Sequence, residues 1–142
     1  MKKNNEWIYF IGKNLASSKN SKIVTWNKKI VMSKSSKEYI AWAKDIFVEN
    51  LPRFLEMKNK VQTKPLYIGF YLYRDSKRRY DFNNINQMAM DLFVKHGYIE
   101  DDNVYETIPV FLGSEVVKKE KAGFKITLLD DKYEAFLKKF NS

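Results

Sequence analysis

The sequence predicts an α/β (α+β) fold, a single domain over residues 1–142 built on a mixed β-sheet flanked by helices. Three observations predict it. Short runs of β-branched and aromatic residues alternate with stretches whose apolar residues recur every three or four positions. One run, Leu66-Tyr67-Ile68-Gly69-Phe70-Tyr71-Leu72-Tyr73, is almost wholly apolar or aromatic, the pattern of a central strand covered on both faces. At 142 residues the chain can bury a core yet stays within the size of one domain.

Taken in order, Trp7-Ile8-Tyr9-Phe10-Ile11 reads as a first strand, followed by a polar stretch from Gly12 to Lys22. Ile23-Val24-Thr25-Trp26 and Ile30-Val31-Met32 flank Asn27-Lys28-Lys29 as a hairpin. Ser35 or Ser36 is placed to cap a helix in which Ile40, Ala43, Phe47 and Leu51 face a core. Pro52 is expected to end or kink it, since proline lacks an amide and clashes with the preceding turn. Lys58 to Lys64 reads as a basic loop before the central strand. Between Asn84 and His96, Ile85, Met88, Ala89, Leu92 and Phe93 share one helical face, and Asn84, Gln87 and Asp91 share its flank. Val104–Leu112 and Phe124–Leu129 are read as strands around the charged turn Lys118-Lys119-Glu120-Lys121. The tail from Asp130 to Ser142 is read as a terminal helix with Tyr133, Phe136, Leu137 and Phe140 inward. The predicted order is β-ββ-α-β-α-β-β-α.

Composition narrows the chemistry. An apolar content of 44% with 30% charged residues is that of a folded chain. Cysteine is absent, which excludes disulfides, thiolate zinc sites and cysteine nucleophiles. No apolar run has the roughly 18 residues a membrane span needs. The start, Met1-Lys2-Lys3-Asn4-Asn5-Glu6-Trp7, lacks the apolar core of a signal peptide, so a cytoplasmic protein without a membrane partner is expected. A net charge of +9 favours an anionic partner, most often nucleic acid. No Gly-rich phosphate loop is present, Ser17 and Ser18 have no basic partner nearby, and His96 is the only histidine. Nucleotide hydrolysis, serine nucleophiles and a small-molecule cofactor are accordingly not expected.

Within this basic chain lies a knot of acid. Arg74-Asp75-Ser76-Lys77-Arg78-Arg79 leads into Tyr80-Asp81-Phe82-Asn83-Asn84, the next helix carries Asp91, and Gly97-Tyr98-Ile99-Glu100-Asp101-Asp102-Asn103 follows. Phosphodiester hydrolysis needs an activated water and relief of developing charge. Hard divalent ions supply both and take carboxylate oxygens as ligands. Asp81 precedes the helix and Asp101 and Asp102 follow it; strands pairing on either side would let these ends approach. The same residues also have a plainer reading, Asp81 as an N-cap and Asp-Asp-Asn as a turn.

The stretch from Arg78 to Val104 resembles the RusA family of Holliday-junction resolvases. The elements carrying the resemblance are the basic run with Asp81-Phe82-Asn83-Asn84, the helix aspartate Asp91, the turn Gly97-Tyr98-Ile99, and Asp101-Asp102-Asn103-Val104. Ser18-Lys19-Asn20 stands where the family has a Ser-x-Asn turn, without the prolines usual before it. The resemblance implies metal ligation by Asp81, Asn83, Asp101 and Asp102, and catalytic roles for Asp81, Asp91 and Asp102. It implies Mg²⁺, or Mn²⁺ in its place, and a homodimer that nicks four-way or otherwise branched DNA symmetrically. A phage or prophage origin, and so a bacterial host cytoplasm, is implied as well. Lys19, Asn20, Lys22, Arg74, Lys77, Arg78, Arg79, Asn84 and Gln87 would contact DNA. Two departures stand out: Asn83 replaces the second aspartate of the Asp-x-Asp pair and Gln87 replaces a lysine. They carry the alternative expectation, a protein that binds junctions but has lost cleavage.

Overall fold

The computed structural model describes residues 6–17, 22–24, 30–61, 65–103 and 105–129, with backbone alone for 22–24 and 30–32. The order is β1 (Ile8–Ile11), β2 (Lys22–Val24), β3 (Ile30–Met32), α1 (Lys34–Val61), β4 (Leu66–Arg74), α2 (Phe82–Lys95), β5 (Thr107–Val116) and β6 (Gly123–Leu129). β2 and β3 form a separate two-stranded antiparallel ribbon. The other four strands make one mixed sheet in the order β1-β6-β4-β5, with β4 parallel to β5 and antiparallel to β6. This is the expected mixed sheet with helices. The expected terminal helix from Asp130 lies outside the described residues, as do Lys19 and Asn20.

One face of the sheet carries the core. Ile8, Phe10, Ile68, Phe70, Leu72, Phe124 and Ile126 point to it and are fully buried. Phe47 of α1 meets Phe10 with ring centroids 4.6 Å apart, and Phe93 of α2 meets Phe70 at 6.1 Å. Phe10 stacks on Phe124 at 4.6 Å, so aromatic packing runs from strand to strand as well as from helix to sheet. At the edge of this layer β1 and β6 come so close that a Cβ on Gly123 would strike the Phe10 carbonyl. Its φ of 151° is also one that side-chain-bearing residues avoid.

α1 corrects three expectations. Its cap is Ser33, whose Oγ accepts from the Ser36 amide at 3.3 Å, rather than Ser35 or Ser36. Of the two effects expected of Pro52, an end or a kink, the end does not occur, and Lys58 to Val61, expected as loop, are helical. The reason is burial beyond the proline. Phe54 and Met57 continue the inward stripe of Tyr39, Ala43 and Phe47, while Pro52 itself is on the exposed side. Two such buried side chains contribute about 3–6 kcal/mol, enough to offset the roughly 3 kcal/mol a mid-helix proline costs.

β4 is also not what its composition suggests. Leu66, Ile68, Phe70 and Leu72 are buried on the helix face, but Tyr67, Tyr71 and Tyr73 on the other face are only half-buried. Tyr73 is therefore a sheet-face residue. β5 begins later and ends later than expected, with a bulge opposite Phe70 and Tyr71. It is an edge strand, and Pro109 fits it. The Leu66 amide donates to Glu106, so alternate residues of β5 bond to β4 and Pro109 falls at a position facing away, where no amide is required. No helix among the described residues is long and apolar enough to cross a membrane.

Candidate functional site

The acidic segment is organised by α2 and by a loop that doubles back along it. Asp81 is the N-cap: its Oδ1 accepts from the Asn83 amide at 2.9 Å, and its carbonyl accepts from Asn84 and Ile85. At the far end the helix stops in a left-handed turn at Gly97, φ 85°, where glycine has no steric cost. The Tyr98 amide then returns to the Phe93 carbonyl at 2.8 Å. The Tyr98 ring is fully buried between Phe54 and Phe93, and its hydroxyl donates to the Phe47 carbonyl at 2.6 Å. This plug fixes where the following acids emerge.

β4 and β5 are parallel, so strand pairing sends the two ends of α2 to opposite ends of the sheet rather than together. What brings the acids near the helix is the doubling-back. Gln87 Nε2 donates to Asp91 Oδ1 at 2.7 Å, one turn along the helix, and to Asp102 Oδ2 at 3.3 Å. One neutral amide thus bridges two carboxylates. Asp81 lies six residues before Gln87, about 9 Å along the helix axis, and serves the cap. Asn83 is exposed, and its carbonyl accepts from Asn86 Nδ2 at 3.4 Å.

Asp101 is engaged in its own loop. Its Oδ1 accepts from the Asp102 amide at 2.7 Å and its Oδ2 from Asn103 Nδ2 at 3.1 Å. The backbone bond from Asp102, followed by the Asn103 amide, holds its carboxyl below the usual carboxylate range. Asn103 in turn accepts through Oδ1 from the amides of Tyr105 and Glu106. The Asp-Asp-Asn run thus leads into the turn at Tyr105 and Glu106, which starts from Asn103, and it presents Asp102.

Among the described residues, no three acidic or imidazole side chains converge as a metal-binding group. The fit to a hard divalent ion rests on the donors at Gln87. Asp91, Asp102 and, with its amide turned, the Gln87 Oε1 are all oxygen ligands, and Mg²⁺ commonly takes one or two carboxylates with waters completing its shell. The NH₂ group of Gln87 stands between the two carboxylates.

The cations divide into two kinds. Lys77, Arg78 and Arg79 are exposed in the loop that runs directly into Asp81. Arg74 is structural: Nη1 donates to the Leu15 carbonyl at 3.0 Å and the guanidinium lies 4.8 Å over the Tyr80 ring. Burial pulls its titration below the ordinary arginine value. Beside it Asn14 Nδ2 donates to Asp75 at 2.7 Å and Asn14 Oδ1 accepts from the Asp75 amide at 3.1 Å. Sequence reasoning passed over this clip, because a lone asparagine in a polar stretch signals nothing about a partner sixty-one residues away. The side chain of Lys22 falls outside the description. No family model and no curated protein sequence matches this chain.

Proposed function

We propose that this chain is a RusA-like, Mg²⁺-dependent endodeoxyribonuclease acting on four-way junctions or other branched DNA. The observation that carries the reading is the convergence of Asp91 and Asp102 on Gln87, directly downstream of an exposed basic run. In it, Asp91 and Asp102 hold the metal, with Gln87 turning its oxygen inward. A divalent metal there supplies an activated water and neutralises charge on the phosphate. Lys77, Arg78 and Arg79 hold the sugar–phosphate backbone in a largely sequence-independent way. Asp81 and Asp101 set the two ends of the arrangement, one as helix cap and the other as turn lock. A homodimer would place two such sites for paired nicks on a near two-fold junction. The site of action would be the cytoplasm, that of a bacterial host if the chain is phage-encoded.

A second reading is favoured by a specific feature. Gln87 is neutral, Asn83 carries no charge and the Asp101 carboxylate is committed to its loop. A protein that binds junctions without cutting them would tolerate all three. Incubating a labelled synthetic four-way junction with Mg²⁺, Mn²⁺ or EDTA, beside matched duplex, decides. Paired metal-dependent nicks that vanish in Asp102→Asn support the nuclease. Salt-sensitive junction binding without nicks supports the second reading, and no preference for the junction over duplex overturns both.

A further inference from the structure

Both described helices pack on one face of the four-stranded sheet, and the opposite face is built mainly of aromatic rings. Across its middle row Tyr9 of β1, Lys125 of β6 and Tyr71 of β4 are register partners. The Lys125 ammonium lies 4.3 Å from the Trp7 ring centroid, 5.2 Å from Tyr71, and 5.6 Å from both Tyr9 and Tyr73. The Tyr71 ring lies over Gly113, and its hydroxyl donates to Glu115 at 3.0 Å. Tyr9 is 50% exposed. Such rings are not demanded by the core, which lies behind the sheet.

The composition of this face selects its occupant. A cationic ligand has no place, because the protein's own ammonium already fills the aromatic cage. A two-fold copy of the same face would set its central Lys125 toward another Lys125, and like charges brought together are disfavoured. What complements flat rings arranged about one cation is a flexible anion that carries planar faces. We propose that this sheet face is a stacking surface for unpaired bases of single-stranded DNA, with Tyr9 and Tyr73 offering rings and Lys125 meeting a phosphate. Base–aromatic stacking is tolerant of sequence and pairs naturally with a phosphate-binding lysine. The choice of DNA rests on the nuclease reading, in which strands separate at a branch; the surface itself does not depend on the metal site.

The test is made on the whole chain in EDTA, so that failure of the metal site cannot affect it. Fluorescence anisotropy with labelled oligothymidylate of about twelve nucleotides is compared with an abasic oligomer of the same length. The expected result is that Tyr9→Ala weakens binding about five- to 150-fold, the equivalent of one base–aromatic stack of ~1–3 kcal/mol. Tyr9→Phe retains binding, since the ring is what stacks. Lys125→Gln lowers the salt slope by about 0.7, one phosphate on a single strand. The abasic oligomer binds the native chain more weakly than oligothymidylate binds Tyr9→Ala, since it loses the stack on Tyr73 as well. Equal affinity for the abasic and normal oligomers, or no effect of Tyr9→Ala, overturns the proposal. So does a fall in sedimenting mass in Tyr9→Ala with oligonucleotide affinity unchanged, which would make the face a contact between copies of the chain.

Discussion

Gln87 donates its side-chain amide to Asp102, fifteen residues further along the chain, at 3.3 Å. The same nitrogen donates to Asp91 at 2.7 Å. The bond ties the middle of α2 to the loop that follows it, and through one amide it links the two carboxylates. Replacing the amide with a third carboxylate tests how closely the three groups meet. In Gln87→Glu, repulsion among exposed carboxylates should cost about 1 kcal/mol, or roughly 3 °C of melting temperature for a chain of this size. A few millimolar Mg²⁺ should restore the lost stability, whereas the native protein should gain less. Thermal melts in EDTA and in Mg²⁺ check this, and equal response of the two proteins would argue against a shared cation position.

Tyr98 is the second determinant of where Asp102 stands. Its hydroxyl bonds the Phe47 carbonyl inside the core, 2.6 Å away. Tyr98→Phe keeps the ring but removes the hydroxyl's bond to that carbonyl, a loss of about 1 kcal/mol. Urea denaturation should show a lower midpoint with an unchanged slope. Because the ring still fills its place among Phe54 and Phe93, the variant should fold.

The sequence disclosed the strand–helix alternation because period and burial agree there: Ile85, Met88, Ala89, Leu92 and Phe93 are all buried on α2. It disclosed the shared flank of Gln87 and Asp91 for the same reason, since one helical turn separates them. Local patterns fell short where a distant partner decides. Nothing near Pro52 announces that Phe54 and Met57 will dock, and an apolar strand does not reveal that Tyr67, Tyr71 and Tyr73 face away from the helices. The approach of Asp102 to Gln87 likewise follows from the Gly97 turn and the burial of Tyr98, not from the pairing of β4 with β5.

Pro52 gives a clean measure of that trade. Restoring the amide with Pro52→Ala allows a helical hydrogen bond at an exposed position beside Val48, which is 56% exposed. The expected outcome is a stabilisation of about 1–3 kcal/mol, read as a higher urea midpoint. No gain would mean that the proline itself is needed to seat Phe54 and Met57.

The cations separate by salt. If Lys77, Arg78 and Arg79 hold phosphates, replacing all three with serine should reduce the slope of log affinity against log salt by about 2.7 on duplex arms. Stability should change little, since all three are exposed. Arg74→Met should do the reverse. It loses the bond to the Leu15 carbonyl and the Tyr80 ring contact, so it should lower the urea midpoint while leaving the salt slope within error.

His96 supplies a dependence on pH. It sits at the C-cap of α2, with its ring 5.4 Å from that of Phe47 and its Nε2 buried without a hydrogen-bond partner among the described residues. Burial, then the nearby Lys95 and Lys44, lower its titration below the ordinary 6.5. The folded imidazole thus resists a proton that the unfolded chain binds. Stability from this group is complete above the unfolded value of about 6.5 and is lost as pH falls through the lower folded value. Urea midpoints of the native chain should therefore fall between pH 7.5 and pH 5, and His96→Gln should flatten that part of the decline. An identical decline in both proteins would assign the pH dependence to the carboxylates instead.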